Sequence, residues 1–223
     1  MKLYIVRHGE TDWNKSRRIQ GQVDIPLNEF GKSLARKTAK GLQNVRFDYC
    51  ISSPLCRARE TARLILEGRD VPILEDDRIM EMAFGDYEGK SLEKSRCELP
   101  DEFQKFFTDP ENFVPANGGE SFADLKKRTG EFLGDLIHKK EFEQCNILIA
   151  THGAALAGML NNIKHLSLKE YWGQGVHKNC AVTEVQVTGN DMKILSENVV
   201  YYDDEVEDWD AQVREFNGMQ NAS

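Results

Sequence analysis

His8 and His152 are the two side chains of this sequence best placed to do chemistry. Each ends an apolar run and is followed by glycine: Leu3-Tyr4-Ile5-Val6 leads into Arg7-His8-Gly9-Glu10-Thr11, and Ile147-Leu148-Ile149-Ala150 into Thr151-His152-Gly153. Four consecutive apolar residues read as a buried strand, and open α/β sheets bind ligands beyond the carboxyl ends of their strands. One strand-end histidine is as readily a satisfied structural residue; the repeated arrangement on two strands is what argues for a site. The glycines let the backbone at Gly9 and Gly153 approach a ligand. An imidazole there can act as a nucleophile near neutral pH, and position alone allows either histidine that part. Arg7 precedes His8, and Arg57 falls in the first turns of a helix expected to start at Ser53-Pro54, with serine as N-cap and proline at the first helical position. A cation there opposes the helix dipole unless amides and guanidinium face a common anion; a structural ion pair is the competing account. Arg59 lies on another face of the same helix and reads as a salt-bridge residue. Glu81, within Ile79-Met80-Glu81-Met82-Ala83-Phe84, is expected to have a raised pKa in apolar company, as suits a proton donor; a capping or surface glutamate is the alternative. Two anion-handling arginines, a nucleophile and an acid together suit phosphoryl transfer.

The elements that must position these residues follow from periodicity. Asn28 is a plausible cap for a helix to about Leu42, in which Gly31 is merely tolerated. Phe47 to Ser52 and Val71 to Leu74 read as strands, with the Ser53 helix between them ending near Gly68. Gly9 to Leu27 reads as a loop. Phe122, Leu125, Phe132, Leu133, Leu136 and Ile137 define a long amphipathic helix, and another starts at Gly153. Ala181 to Val187 and Met192 to Glu197 form a hairpin turned at Gly189-Asn190. Strands alternating with helices predict a three-layer α/β/α sandwich with a mainly parallel central sheet. Residues 1–223 read as a single domain, with a cap subregion inserted at about 86–119 that holds a short helix from Pro100 to Phe107.

Composition narrows the partners. A net charge of -8 over 223 residues disfavours nucleic acid, whose phosphates need concentrated Lys and Arg. The acidic residues Asp203, Asp204, Glu205, Glu207, Asp208 and Asp210 read as a solvated tail, with a partner-binding tail as the alternative. The first apolar run is too short for a secretory or membrane segment. Cys50, Cys56, Cys97, Cys145 and Cys180 are odd in number and scattered, which suits reduced thiols in the cytoplasm better than a disulfide framework or zinc site. His138 reads as a surface residue, and His177 as a possible substrate contact at the pocket rim. The hairpin edge leaves self-association open.

Arg7-His8-Gly9-Glu10-Thr11 with Asn14 resembles the signature of the histidine phosphatase superfamily, which includes phosphoglycerate mutase. Ser52-Ser53-Pro54-Leu55-x-Arg57-Ala58-x-x-Thr61, Glu81-x-x-Phe84-Gly85-x-x-Glu88-Gly89, Gly118-Gly119-Glu120-Ser121 and Thr151-His152-Gly153 match its further blocks in order. Ala154 stands where the family mostly has a second glycine. The resemblance implies that His8 accepts the phosphoryl group as phosphohistidine, that Arg7, Arg57, His152, Asn14 and Gly153 surround it, and that Glu81 protonates the leaving oxygen. It implies no metal and no cofactor. A small phosphorylated metabolite is the implied partner, with phosphosugars, phosphoglycerate, phosphoserine, α-ribazole phosphate and nucleoside monophosphates as candidates. The segment between Glu81 and Gly119 is shorter than in the mutases and carries Phe103, Phe106, Phe107 and Phe113. That favours a metal-independent phosphomonoester hydrolase of small organic phosphates over a mutase-like transferase or a non-enzymatic binding module.

Overall fold

The computed structural model describes residues 1–92, 98–173 and 175–205. Glu207, Asp208 and Asp210 of the acidic stretch and Cys97 lie outside them. Within them the strands are β1 (Lys2–Arg7), β2 (Tyr49–Ser52), β3 (Ile73–Glu75), β4 (Asn146–Thr151), β5 (Val182–Thr188) and β6 (Asp191–Val199). They form one sheet in the order β3-β2-β4-β1-β5-β6. β3, β2, β4 and β1 run parallel, while the β5–β6 hairpin adds antiparallel to β1. The helices are α1 (Asp12–Lys15), α2 (Glu29–Gly41), α3 (Cys56–Ile65), α4 (Lys105–Thr108), α5 (Phe122–His138) and α6 (Gly153–Ile163).

Side chains alternate across a strand, and this sorts the core into two layers. Leu3, Ile5, Ile147 and Ile149 pack with Phe132 and Leu133 of α5 and Leu156 and Met159 of α6. Tyr4, Val6, Leu148 and Ala150 pack on the other face with Ala58, Ala62 and Ile65 of α3. α2 lies against α3, its Leu34 and Ala35 buried beside Cys180 and Tyr202. The result is the three-layer sandwich with a mainly parallel sheet. Each such aliphatic side chain contributes about 1.5–3 kcal/mol by leaving water, so β1 and β4 form a rigid platform.

Phe84 and Gly119 form an antiparallel bridge outside the sheet, and the segment between them carries an aromatic cluster. Phe103, Phe106, Phe107 and Phe113 gather there with Phe84 and Phe122. Phe106 sits 5.2 Å from Phe84, 5.1 Å from Phe122 and 5.0 Å from Trp172, ring centre to ring centre. Trp172 Nε1 donates to the Phe106 carbonyl at 2.6 Å, fastening this aromatic wall to the segment after α6.

Four local expectations need correction. α3 starts at Cys56, with Leu55 in extended conformation as its N-cap and no side-chain cap; Ser53 and Pro54 precede the helix, because the serine hydroxyl is used elsewhere. The stretch after Gly9 contains α1, closed by a Thr11–Asn14 capping box. The expected helix from Pro100 is a 3₁₀ turn, Asp101–Gln104, followed by α4. Gly31 is required rather than tolerated: a Cβ there would lie 2.1 Å from the Glu10 carbonyl oxygen.

Candidate active site

β1 and β4 are neighbours in register, Arg7 opposite Thr151, so the next residue of each strand is a histidine. The His8 and His152 rings stand 5.2 Å apart, centre to centre. His8 N–H donates to the Thr151 carbonyl at 2.9 Å, and Asn179 Nδ2 donates to the His8 carbonyl at 2.9 Å. His8 Nδ1 lies 2.7 Å from the Gly9 carbonyl oxygen, an acceptor only, which assigns the proton to Nδ1 and leaves the lone pair on Nε2. Burial, then the charges of Arg57 and Arg7, hold the His8 pKa well below 6.5, so the ring is neutral near pH 7.

His152 is fully buried and is also held well below 6.5, by burial first and then by Arg57 and His8. It is therefore a neutral ring and not a cation. Ser53 Oγ accepts the Leu55 N–H at 3.3 Å and lies 2.7 Å from His152 Nε2. Ser53 thereby holds the ring at Nε2, while Nδ1 is buried with no hydrogen-bond partner.

Arg57 is fully buried two residues into α3, and burial brings its pKa down to about 10, which leaves it charged at neutral pH. Its Nη1 donates to the Val23 carbonyl at 2.9 Å and Nη2 to the Gly21 carbonyl at 2.7 Å. Its Nε has no partner. The competing ion-pair reading of Arg57 does not hold, since both of these hydrogen bonds go to carbonyls. Arg7 Nη1 donates to the His177 carbonyl at 2.5 Å.

The apolar company expected of Glu81 is absent. Its carboxylate accepts the N–H groups of Met82 at 2.9 Å and of Ala154 and Ala155 at 3.1 Å, the last two at the positive end of α6. Its own carbonyl accepts from Gln22 Nε2 at 3.1 Å and Arg128 Nη2 at 3.0 Å. Arg128 is in turn held by Glu120, Nε to Oε1 2.6 Å. Asn14 Oδ1 accepts the Thr11 N–H at 3.1 Å within the capping box.

A pocket of about 580 Å³, counted to its open mouth, gathers these groups. Arg7, His8, Asn14, Arg57, Glu81, Gly153 and Ala154 line it together with the apolar Ile19, Phe84, Leu92, Phe103, Phe106, Phe107, Trp172 and Val176. His152, fully buried, is not among the lining residues. His177 does not reach the rim: it is buried, its Nε2 3.4 Å from Glu197, and it serves the pocket through its carbonyl. Arg59 points to Glu75 at 3.3 Å, and His138 is exposed, as read from sequence. Burial pushes the Cys56 thiol up to about 11, and the buried Cys180 higher, which suits inert thiols. Sequence reasoning missed Ser53 beside His152, Gly21 and Val23 as the acceptors of Arg57, and Gln20 and Trp172 in the pocket lining. Gly21, at φ +51°, carried the one available signal, a glycine inside a loop beside the first motif. Among the described residues no group of three or more His, Cys, Asp or Glu is placed to hold a metal ion.

The sequence profile of the histidine phosphatase superfamily (branch 1) matches residues 3–200. An uncharacterized phosphatase of Bacillus subtilis, PhoE, is 36% identical over 160 residues, 71% of this chain and 75% of its own. The adenosylcobalamin/alpha-ribazole phosphatase of Salmonella typhimurium is 35% identical over 181 residues, 81% of this chain and 88% of its own. The solved structure of Bacillus stearothermophilus YhfR superposes with a TM-score of 0.83 at 34% identity, covering 90% of this chain and 98% of that one. A match across nearly the whole chain, together with paired strand-end histidines over a parallel sheet, places this chain in the histidine phosphatase superfamily, in its phosphatase branch.

Proposed function

We propose that the chain hydrolyses phosphomonoesters of small, largely apolar organic groups through a phosphohistidine on His8. The observation that carries this reading is in the pocket lining, where His8, with its lone pair on Nε2, is joined by Arg57, whose buried Nε has no acceptor. A buried donor without an acceptor costs about 1–3 kcal/mol; a phosphoryl oxygen would satisfy it.

His8 Nε2 attacks phosphorus, the P–O bond to the organic group breaks, and its electron pair leaves on the ester oxygen. The protonated form of Glu81 gives that oxygen a proton and becomes the carboxylate that the Met82, Ala154 and Ala155 N–H groups stabilise. The imidazole proton stays on Nδ1, bonded to the Gly9 carbonyl, so the phosphoimidazolium is held in place. Arg7, Arg57 and Asn14 take the charge on the equatorial oxygens, with neutral His152 beside His8 and Gly153 leaving room beside them. Water then attacks the phosphohistidine as Glu81 takes its proton, releasing phosphate and neutral His8. None of these steps calls on a metal.

The aromatic wall of the pocket argues for an apolar leaving group. A bisphosphorylated intermediate, which a mutase must retain, would need further cations; beyond Arg7 and Arg57 the described lining offers Arg18, its side chain 44% exposed and already donating to the Gly89 carbonyl at 2.6 Å. Residues from about 86 to 119 would act as the cap. Cys50, Cys56, Cys145 and Cys180 are free thiols, which suits a reducing compartment such as the cytoplasm, and no helix among the described residues is long and apolar enough to cross a membrane.

The test is a phosphomonoester panel read by released phosphate, with rapid-quench trapping on wild type and His8→Ala. Aryl and other apolar esters should turn over fastest, and an acid-labile phosphoryl group should form on wild type alone. Labelling that survives His8→Ala, or isomerisation of 3-phosphoglycerate outrunning phosphate release, would overturn the proposal.

A further inference from the structure

Glu88 belongs to a sequence block whose acid, Glu81, has a part in the proposed reaction, yet Glu88 itself does not line the pocket. One of its carboxylate oxygens, Oε1, accepts two backbone N–H groups from different segments, Gln22 at 2.9 Å and Phe84 at 3.0 Å. The Gln22 N–H belongs to the same planar peptide as the Gly21 carbonyl, and that carbonyl accepts Arg57 Nη2 at 2.7 Å. The peptide is thus gripped at both ends, and turning it would break both bonds at once. Gln22 also reaches across with its side chain to the Glu81 carbonyl at 3.1 Å. Gly21 has to be glycine for this approach: its φ is +51°, and a Cβ would sit 2.0 Å from Glu88 Oε1.

We infer that Glu88 is a positioning residue that locks the arginine-holding loop to the acid-bearing segment, setting Arg57 and Glu81 at a fixed separation across the pocket. The inference rests on the function proposed for the site. A single oxygen makes both contacts, so its action is assigned to placed hydrogen bonds ahead of the carboxylate charge, which also favours the charged form of Arg57. An amide oxygen has two lone pairs and can accept both N–H groups; an aspartate carboxylate, one methylene shorter, keeps the charge but falls short of them.

The experiment compares E88Q and E88D for kcat, KM and direct calorimetric binding of inorganic phosphate, with melting temperature recorded separately. E88Q should stay within about threefold of wild type in phosphate affinity and kcat/KM. E88D should lose about 100-fold in kcat/KM, the scale of an ångström-sized misplacement, and bind phosphate more weakly. Wild-type behaviour of E88D, or a loss in E88Q as large as in E88D, would overturn the inference in favour of no role or a charge role. The phosphate measurement needs no turnover. If phosphate binding follows the expected order while wild type hydrolyses no phosphomonoester, the proposed function fails and the clamp stands; turnover in wild type with E88D unimpaired sinks the clamp alone.

Discussion

Replacing Arg57 by lysine keeps a positive charge and removes a planar fork. The guanidinium spends two nitrogens on the Val23 and Gly21 carbonyls, at 2.9 and 2.7 Å, and keeps Nε unpartnered. A single ammonium cannot span both carbonyls and still face the pocket. Loss of one aimed donor in a dry site reduces kcat by about 10²–10³, or about 2.7–4 kcal/mol of transition-state stabilisation. The pH dependence sharpens the test. Burial takes the arginine from 12.5 to about 10, and the same burial pushes a lysine ammonium below its ordinary value of about 10.4. Arg57→Lys should therefore lose activity at a lower pH than wild type as pH rises, because the cation that faces phosphate gives up its proton sooner. Steady-state kinetics with a chromogenic phosphomonoester between pH 6 and 10, with melting temperatures alongside, reads both effects. A variant within fivefold of wild type at pH 7 and with no new alkaline limb would refute the assignment of Arg57 to the phosphoryl oxygens.

Ser53→Ala strips the hydroxyl 2.7 Å from His152 Nε2. A buried nitrogen left without a partner costs about 1–3 kcal/mol, so kcat/KM should fall about 5- to 150-fold, and an unchanged value would remove Ser53 from the site. Stability should fall as pH drops below 6.5, since His8 and His152 both have folded-state pKa values depressed below that figure while the unfolded chain takes up protons there. The slope is about 1.4 kcal/mol per pH unit for each histidine. Urea denaturation at pH 7.5 and 5.5 reads it, and His152→Asn should flatten it; an equal slope in that variant would contradict the burial argument. Gly31→Ala forces a methyl to 2.1 Å from a backbone oxygen and should destabilise by about 1–3 kcal/mol or more in the same assay.

The layers and the strand-end histidines were legible because their signals are local. Leu3 to Val6 and Ile147 to Ala150 are apolar runs, and a run that stops at a polar residue marks the strand's end. Asn28 worked as a cap, its side chain accepting the Gly31 N–H at 2.7 Å. What failed depended on contacts distant in sequence. Ser53 carries every local sign of an N-cap, but its hydroxyl bonds a residue far along the chain. Glu81 sits among apolar neighbours in sequence and among α6 amides in space. His177 contributes its carbonyl, which no residue type announces. The resemblance to a known family supplied the difference between His8 and His152; in the structure His8 lines the pocket and His152 does not.

The pairing of β1 with both β4 and β5 sets the conditions under which this site can come apart. The His8 amide is bonded to Thr151 across the centre of the sheet, so it should exchange with solvent deuterium only through opening as rare as global unfolding. The Gly21–Val23 loop and the aromatic segment hang on turns and side chains and can open sub-globally at lower free energy. Under rising denaturant the pocket should therefore lose its arginine geometry and its apolar wall first, while the nucleophile keeps its place. Hydrogen exchange would then show a chain that has stopped discriminating between substrates before it has begun to unfold.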